Sequence, residues 1–133
     1  WCKGRSSMKY AINAVGVPTP MGPYSQGTTA GRLVFVTGQI AVSAEDPKKL
    51  IDGGIEEQTT RVIHLAQSIL AEAGCTLSDV AQTTIYLADI NDLPKVNEIY
   101  RQYFVLPAPG RAVVEVSALP LGALIEMDCI ACR

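Results

Sequence analysis

Two hydrophobic periods alternate along the chain. "RLVFVTGQI" (32–40) is apolar on both sides of a two-residue repeat, the pattern of a central strand. "IEEQTTRVIHLAQSILAEAG" (55–74) repeats at three and four residues through Ile55, Thr59, Val62, Ala66, Ile69 and Ala73, widened by Ile63 and Leu70. That spacing predicts an amphipathic helix. Acidic residues in its first turn suit the positive end of the helix dipole, and Gly74 suits its C-terminal cap. "VAQTTIYLAD" (80–89) predicts another strand. "NDLPKVNEIYRQYF" (91–104) predicts a second helix, with Asn91 or Asp92 as N-cap and Pro94 in the first turn. "VPTPMGPYSQG" (17–27) and "SAEDPKK" (43–49) predict loops.

The last stretch, "RAVVEVSALPLGALIEMDCIAC" (111–132), alternates on both sides of Pro120–Leu121 and predicts a hairpin. In that register Ala112, Val114, Val116 and Ala118 share the helix-covered face with Ala123, Ile125, Met127, Cys129 and Ala131. Arg111, Val113, Glu115 and Ser117 then share the other face with Leu124, Glu126 and Asp128, and Glu115 opposes Glu126. Two readings of that face stand open. It is a solvated sheet face, or it is a polar cluster at a subunit interface. The repulsive Glu115–Glu126 pair and the interleaved Val113, Leu124 and Ile130 speak for the second.

The predicted order is strand–strand–helix–strand–helix–strand–strand. Two helices for one mixed sheet imply a two-layer α+β domain with both helices on one face. A chain of 133 residues suits one domain. The first seven residues, WCKGRSS, read as an expression-tag remnant, which leaves 8–133 as a single domain. No apolar run reaches the ~20 residues of a membrane helix. Setting aside Lys3 and Arg5 leaves 9 of the 11 basic residues against 13 acidic ones, a net charge of −4. That balance disfavours nucleic acid, which asks for a basic face.

Cysteine and histidine chemistry narrows the field further. Cys129 and Cys132 form a C-x-x-C pattern, but residues three apart on a strand point to opposite faces, so both are expected as free thiols, as is Cys75. The one histidine, His64, lies on the first helix with no ligand partner at metal-binding spacing. No serine or cysteine triad and no Gly-rich phosphate loop can be built.

"GPYSQG" (22–27), "VTGQI" (36–40), "NDLPKVNEIYRQYF" (91–104) and "GRAVVEVSALPLGALIEMDCIA" (110–131) resemble the Rid family, the RidA/YjgF-type enamine/imine deaminases. The resemblance runs from about Lys9 to Arg133. It implies a chorismate-mutase-like α+β fold and a cytoplasmic homotrimer, with three sheets packed inward as a barrel-like core and active sites in the clefts between subunits. The family's substrate-binding arginine falls on Arg111 and its acidic residue on Glu126. Its loop tyrosine falls on Tyr24, its backbone-contact glycine on Gly38 and its helix asparagine on Asn97. Two positions depart from the pattern: Gly110 stands where alanine is usual, and Val113 occupies a pocket position that is cysteine in some members and threonine or another residue in others.

The implied reaction is hydrolysis of 2-iminopropanoate or 2-iminobutanoate, released as enamines by pyridoxal-phosphate enzymes, to a 2-keto acid and ammonia. A guanidinium offers two parallel N–H donors to the substrate carboxylate. Glu126, in a cleft that raises its pKa, would activate water. Gly38 and Tyr24 would hold and close over the substrate. The resemblance implies no metal or cofactor, since the imine is already reactive. A non-catalytic module sensing keto acids through Arg111 is the alternative, and a ribonuclease or translation inhibitor is a third reading that the acidic charge disfavours.

Overall fold

A computed structural model describes residues 8–133. The tag reading of residues 1–7 lies outside these described residues. The strands are β1 (Lys9–Ile12), β2 (Gly27–Ala30), β3 (Leu33–Gln39), β4 (Val80–Leu87), β5 (Gly110–Glu115) and β6 (Ile125–Cys132). The helices are α1 (Ile55–Glu72) and α2 (Leu93–Tyr103). The α+β expectation holds: one mixed six-stranded sheet, in the order β1-β2-β3-β6-β4-β5, carries two helices.

Helix α1 starts where Glu57 turns back to accept the Gly54 N–H at 2.9 Å. It ends at Gly74, whose φ of +78° lets the Cys75 N–H reach the Leu70 carbonyl at 2.8 Å. Its apolar stripe is fully buried at Val62, Ile63, Ala66, Ile69 and Leu70. Asp92 is the N-cap residue of α2, as expected, with Pro94 in the first turn, although its side chain accepts no backbone N–H there. The short 3-10 turn just before it is capped by Asp89, which accepts the Asn91 N–H at 2.9 Å.

The helices bury one sheet face. Val34 and Val36 of β3, Thr83, Ile85 and Leu87 of β4, and Ile125, Met127, Cys129 and Ala131 of β6 all point into that core. On the opposite face Leu33, Phe35, Val114 and Ile130 remain between 37% and 44% exposed. Four sizeable apolar side chains there are more than a solvated sheet face needs.

The hairpin expectation fails. β5 and β6 do not pair; β4 lies between them. β5 runs parallel to β4, with Arg111 beside Thr83, Val113 beside Ile85 and Glu115 beside Leu87. β6 runs antiparallel to β4, with Glu126 beside Tyr86. The physical reason is the crossover. A strand, a helix and a strand joined by short loops place the second strand parallel to the first, and α2 is that crossover. β5 therefore takes the outer edge of β4. Its faces are also inverted relative to the expected hairpin. Arg111, Val113 and Glu115 lie on the helix side, while Ala112 and Val114 lie on the open side with Glu126 and Asp128. Glu115 never meets Glu126. Its carboxylate accepts the Ile90 N–H at 2.9 Å and caps the turn before α2.

The cysteine expectation holds. Cys75, Cys129 and Cys132 are free, Cys129 buried and Cys132 exposed, as alternation along β6 requires. Burial pushes the Cys129 thiol up to about 12. His64 is exposed on α1, its Nε2 3.0 Å from the Tyr103 hydroxyl.

Candidate functional site

The six site residues expected from sequence fall into two groups, not one. The first is built on the edge strand. Arg111 projects from β5 toward α2, where its Nη1 donates to Asn97 Oδ1 at 2.8 Å. Its guanidinium carbon lies 4.8 Å from the centre of the Tyr100 ring. That ring is fixed from both sides: its hydroxyl is 2.8 Å from Thr83 Oγ1, and it stacks on Phe104 with centroids 4.3 Å apart. Burial raises the Tyr100 pKa, so the ring stays neutral beneath the cation. A guanidinium resting on an aromatic face and tied at one nitrogen keeps its other donors free to meet a carboxylate in fixed orientation. Asn97 thus serves Arg111. Val113, two residues along, is half-buried against the core. Tyr100 was not anticipated, although Asn97 and Tyr100 stand at i and i+3 on α2 and so share one helix face.

The second group surrounds Gly38. The ladder between β3 and β6 shifts register between Val36 and Gln39, so β3 bulges there. Thr37 anchors the bulge, donating its N–H to Gln26 O at 3.1 Å and its hydroxyl to Ser25 O at 2.7 Å. Gly38 lies against Glu126 so closely that a Cβ added to it would collide with the carboxylate, 3.0 Å from its Cδ. Any side chain at position 38 would push the carboxylate out of this place. No hydrogen bond or ion pair engages the Glu126 carboxylate among the described residues. Burial raises its pKa, and Asp128, next on the same face of β6, raises it further. Asp128 is itself held by the Tyr86 hydroxyl, which donates to it at 3.0 Å.

A cleft of about 270 Å³ opens beside Gly38, walled by Tyr24, the 17–21 loop, Ile40, Val42 and Leu121. Tyr24 is 55% exposed at its rim. Buried Gln26 shapes the wall. It accepts the Ala14 N–H at 2.7 Å and donates to the Val17 carbonyl at 3.1 Å. Among the described residues no group of three His, Cys, Asp or Glu is placed to hold a metal ion.

The two groups stand apart. Arg111 sits beside Thr83 and Glu126 beside Tyr86, three residues further along β4 and on the opposite face of the sheet. Strand spacings of about 4.8 Å and rises of about 3.3 Å put their Cα atoms about 14 Å apart. Within one chain the guanidinium and the carboxylate do not converge.

Comparison with known proteins gives this arrangement a lineage. The family described as Endoribonuclease L-PSP matches residues 15–133. A RutC family protein of Pyrococcus abyssi is 49% identical over 92% of this chain and 96% of its own length. The human 2-iminobutanoate/2-iminopropanoate deaminase is 40% identical over 95% of this chain and 91% of its own. A Rid family protein of Yersinia pestis, YyfA, superposes with a TM-score of 0.87 at 37% identity, covering 94% of this chain and 99% of that one. With a family match over nearly all the described residues and relatives alike from end to end, the chain belongs to the Rid family.

Proposed function

We propose that this protein hydrolyses short 2-imino acids, 2-iminopropanoate and 2-iminobutanoate among them, to 2-keto acids and ammonia, at sites completed between copies of the chain in a cytoplasmic homotrimer. The observation that carries the reading is Arg111. It is a cation pre-set by Asn97 and Tyr100 on an exposed edge strand, with donors free for a carboxylate. Its relatives named imine deaminases support the same chemistry.

In this reading Arg111 of one copy grips the substrate carboxylate, and the Gly38–Glu126 group of the next copy receives the C=N carbon. Water attacks that carbon while Glu126 takes its proton, and the C=N electron pair moves onto nitrogen. Return of that proton to nitrogen gives the neutral carbinolamine. Glu126 then takes the hydroxyl proton and passes it to nitrogen, and the C–N bond breaks, releasing ammonia as the C=O bond forms. A carboxylate whose pKa is raised toward neutrality suits a group that takes and then returns a proton. Tyr24 and the Gly38 backbone hold the substrate in place, and Val113 shapes the floor beside Arg111. The open sheet face, with Leu33, Phe35, Val114 and Ile130, packs inward as the barrel-like core.

The test is hydrolysis of 2-iminobutanoate generated in situ, with residual imine trapped chemically. Wild type is expected to accelerate ammonia release. Arg111→Ala should abolish the acceleration, and Arg111→Lys should restore little of it, because an ammonium does not reproduce the planar fork. Equal rates for wild type and Arg111→Ala would refute the proposal.

A further inference from the structure

The cleft beside Gly38 is larger and more apolar than a substrate with a methyl or ethyl side chain requires. Its volume of about 270 Å³ exceeds the roughly 150 Å³ of an apolar protein cavity that holds benzene. Its walls are stiff. Pro18, Pro20, Pro47 and Pro120 all line it, and each fixes its own φ. The 17–21 loop is pinned by Gln26, whose amide donates to the Val17 carbonyl at 3.1 Å and the Pro18 carbonyl at 3.4 Å. Leu121 closes one side from a φ of 59°, a left-handed conformation that a leucine side chain rarely adopts. Strain of that kind persists where the surroundings impose it, and it clusters at ligand clamps. Gly38 joins the cleft to Glu126, being a wall of the one and in contact with the other.

We infer that this cleft receives the side chain of the 2-imino acid, so that the protein prefers imines with branched or aromatic apolar side chains over that of alanine. The inference rests on the deaminase reading above. A substrate whose C2 stands at Glu126 directs its side chain past Gly38 into the cleft. Each methylene taken up by an apolar pocket is worth about tenfold or more in kcat/KM. Lys48 is the cleft's cation, and it names the competitor: an imine with a second carboxylate.

The experiment compares imines made in situ from alanine, leucine, phenylalanine and glutamate. The leucine or phenylalanine imine is expected to exceed the alanine imine by well over tenfold in kcat/KM, since each adds several apolar carbons. Met21→Trp narrows the mouth. Leu121→Gly removes a wall at a φ that glycine accepts freely, which safeguards folding. Each should lower the leucine-to-alanine ratio by about threefold or more. Hydrolysis of the alanine imine with no gain for leucine and phenylalanine, or with the glutamate imine preferred, overturns the inference and leaves the deaminase reading intact. Ratios unmoved by both variants overturn it as well. Failure to accelerate any imine overturns both readings together.

Discussion

At the scale of single residues, the site depends on what neighbours do to otherwise ordinary groups. Arg111 would sample many rotamers on an exposed edge; its hydrogen bond to Asn97 and its contact with the Tyr100 ring remove much of that freedom. Glu126 would titrate as a free glutamate, but burial and then Asp128 raise its pKa. The groups facing it are few. β3 offers no titratable side chain, β4 offers Tyr86, and β6 offers Asp128. Tyr86 is kept neutral, its pKa raised chiefly by the hydrogen bond to Asp128. The sign of a pH effect follows. A base acts when ionised, so kcat/KM rises with pH through the pKa of Glu126. Asp128→Asn removes the like charge, lowers that pKa and moves the rising limb toward lower pH. A pH profile of imine hydrolysis for the two proteins checks this; an unmoved or alkaline-shifted limb would detach Asp128 from Glu126.

At the scale of elements, close backbone approaches hold the sheet in register. Gly27 lets β2 lie close beside β3 and beneath α1: a Cβ there would lie 2.6 Å from the Phe35 carbonyl oxygen and 3.0 Å from Ile69 of α1. Neither the backbone nor the buried Ile69 has room to yield. Gly27→Ala should therefore cost about 2 kcal/mol or more, read as an earlier midpoint in urea unfolding. A midpoint within error of wild type would show that β2 is freer than its geometry suggests. The same scale explains what sequence could and could not reveal. Periodicity placed α1, α2, β3 and β4 within a few residues of their observed bounds, because burial on one face dictates spacing. It also divided β6 correctly into buried and open faces. It could not say which strand lies beside which. Alternation is a property of one strand, whereas adjacency depends on the connection, and a helix between β4 and β5 outranks the chain continuity of β5 and β6. That single misplacement carried Arg111 to the wrong face and set Glu115 against Glu126. Of the three strands before α1 the sequence predicts two and places only β3, because β1 and β2, four residues each, carry too little pattern to be located. The site residues came from family resemblance, so their identities were legible while their separation into two groups was not.

At the scale of the whole molecule, that separation is the decisive feature. Arg111 and Glu126 lie on opposite sheet faces, with their Cα atoms about 14 Å apart. Side chains of that length cannot meet on one substrate with a methyl or ethyl group. The chain's open face carries four exposed apolar side chains beside its carboxylates, and β5 leaves one edge unpaired. The closed ring proposed above would meet all three conditions, since a head-to-tail contact would set the β5 edge of one chain against the Gly38 group of the next. The trimer proposed above therefore predicts complementation. Arg111→Ala keeps an intact Glu126, and Glu126→Gln keeps an intact Arg111. Each should be inactive alone. When equal amounts are unfolded together and refolded, a site draws its arginine from one pool and its acid from the other by chance, so about one quarter of wild-type activity should return. Light scattering at the mass of three chains distinguishes the ring from a dimer, which would complement in the same way. If the mixture stays as inactive as its parents, while wild type treated identically recovers, the site is not shared. Arg111 and Glu126 would then have to act in separate places on one chain.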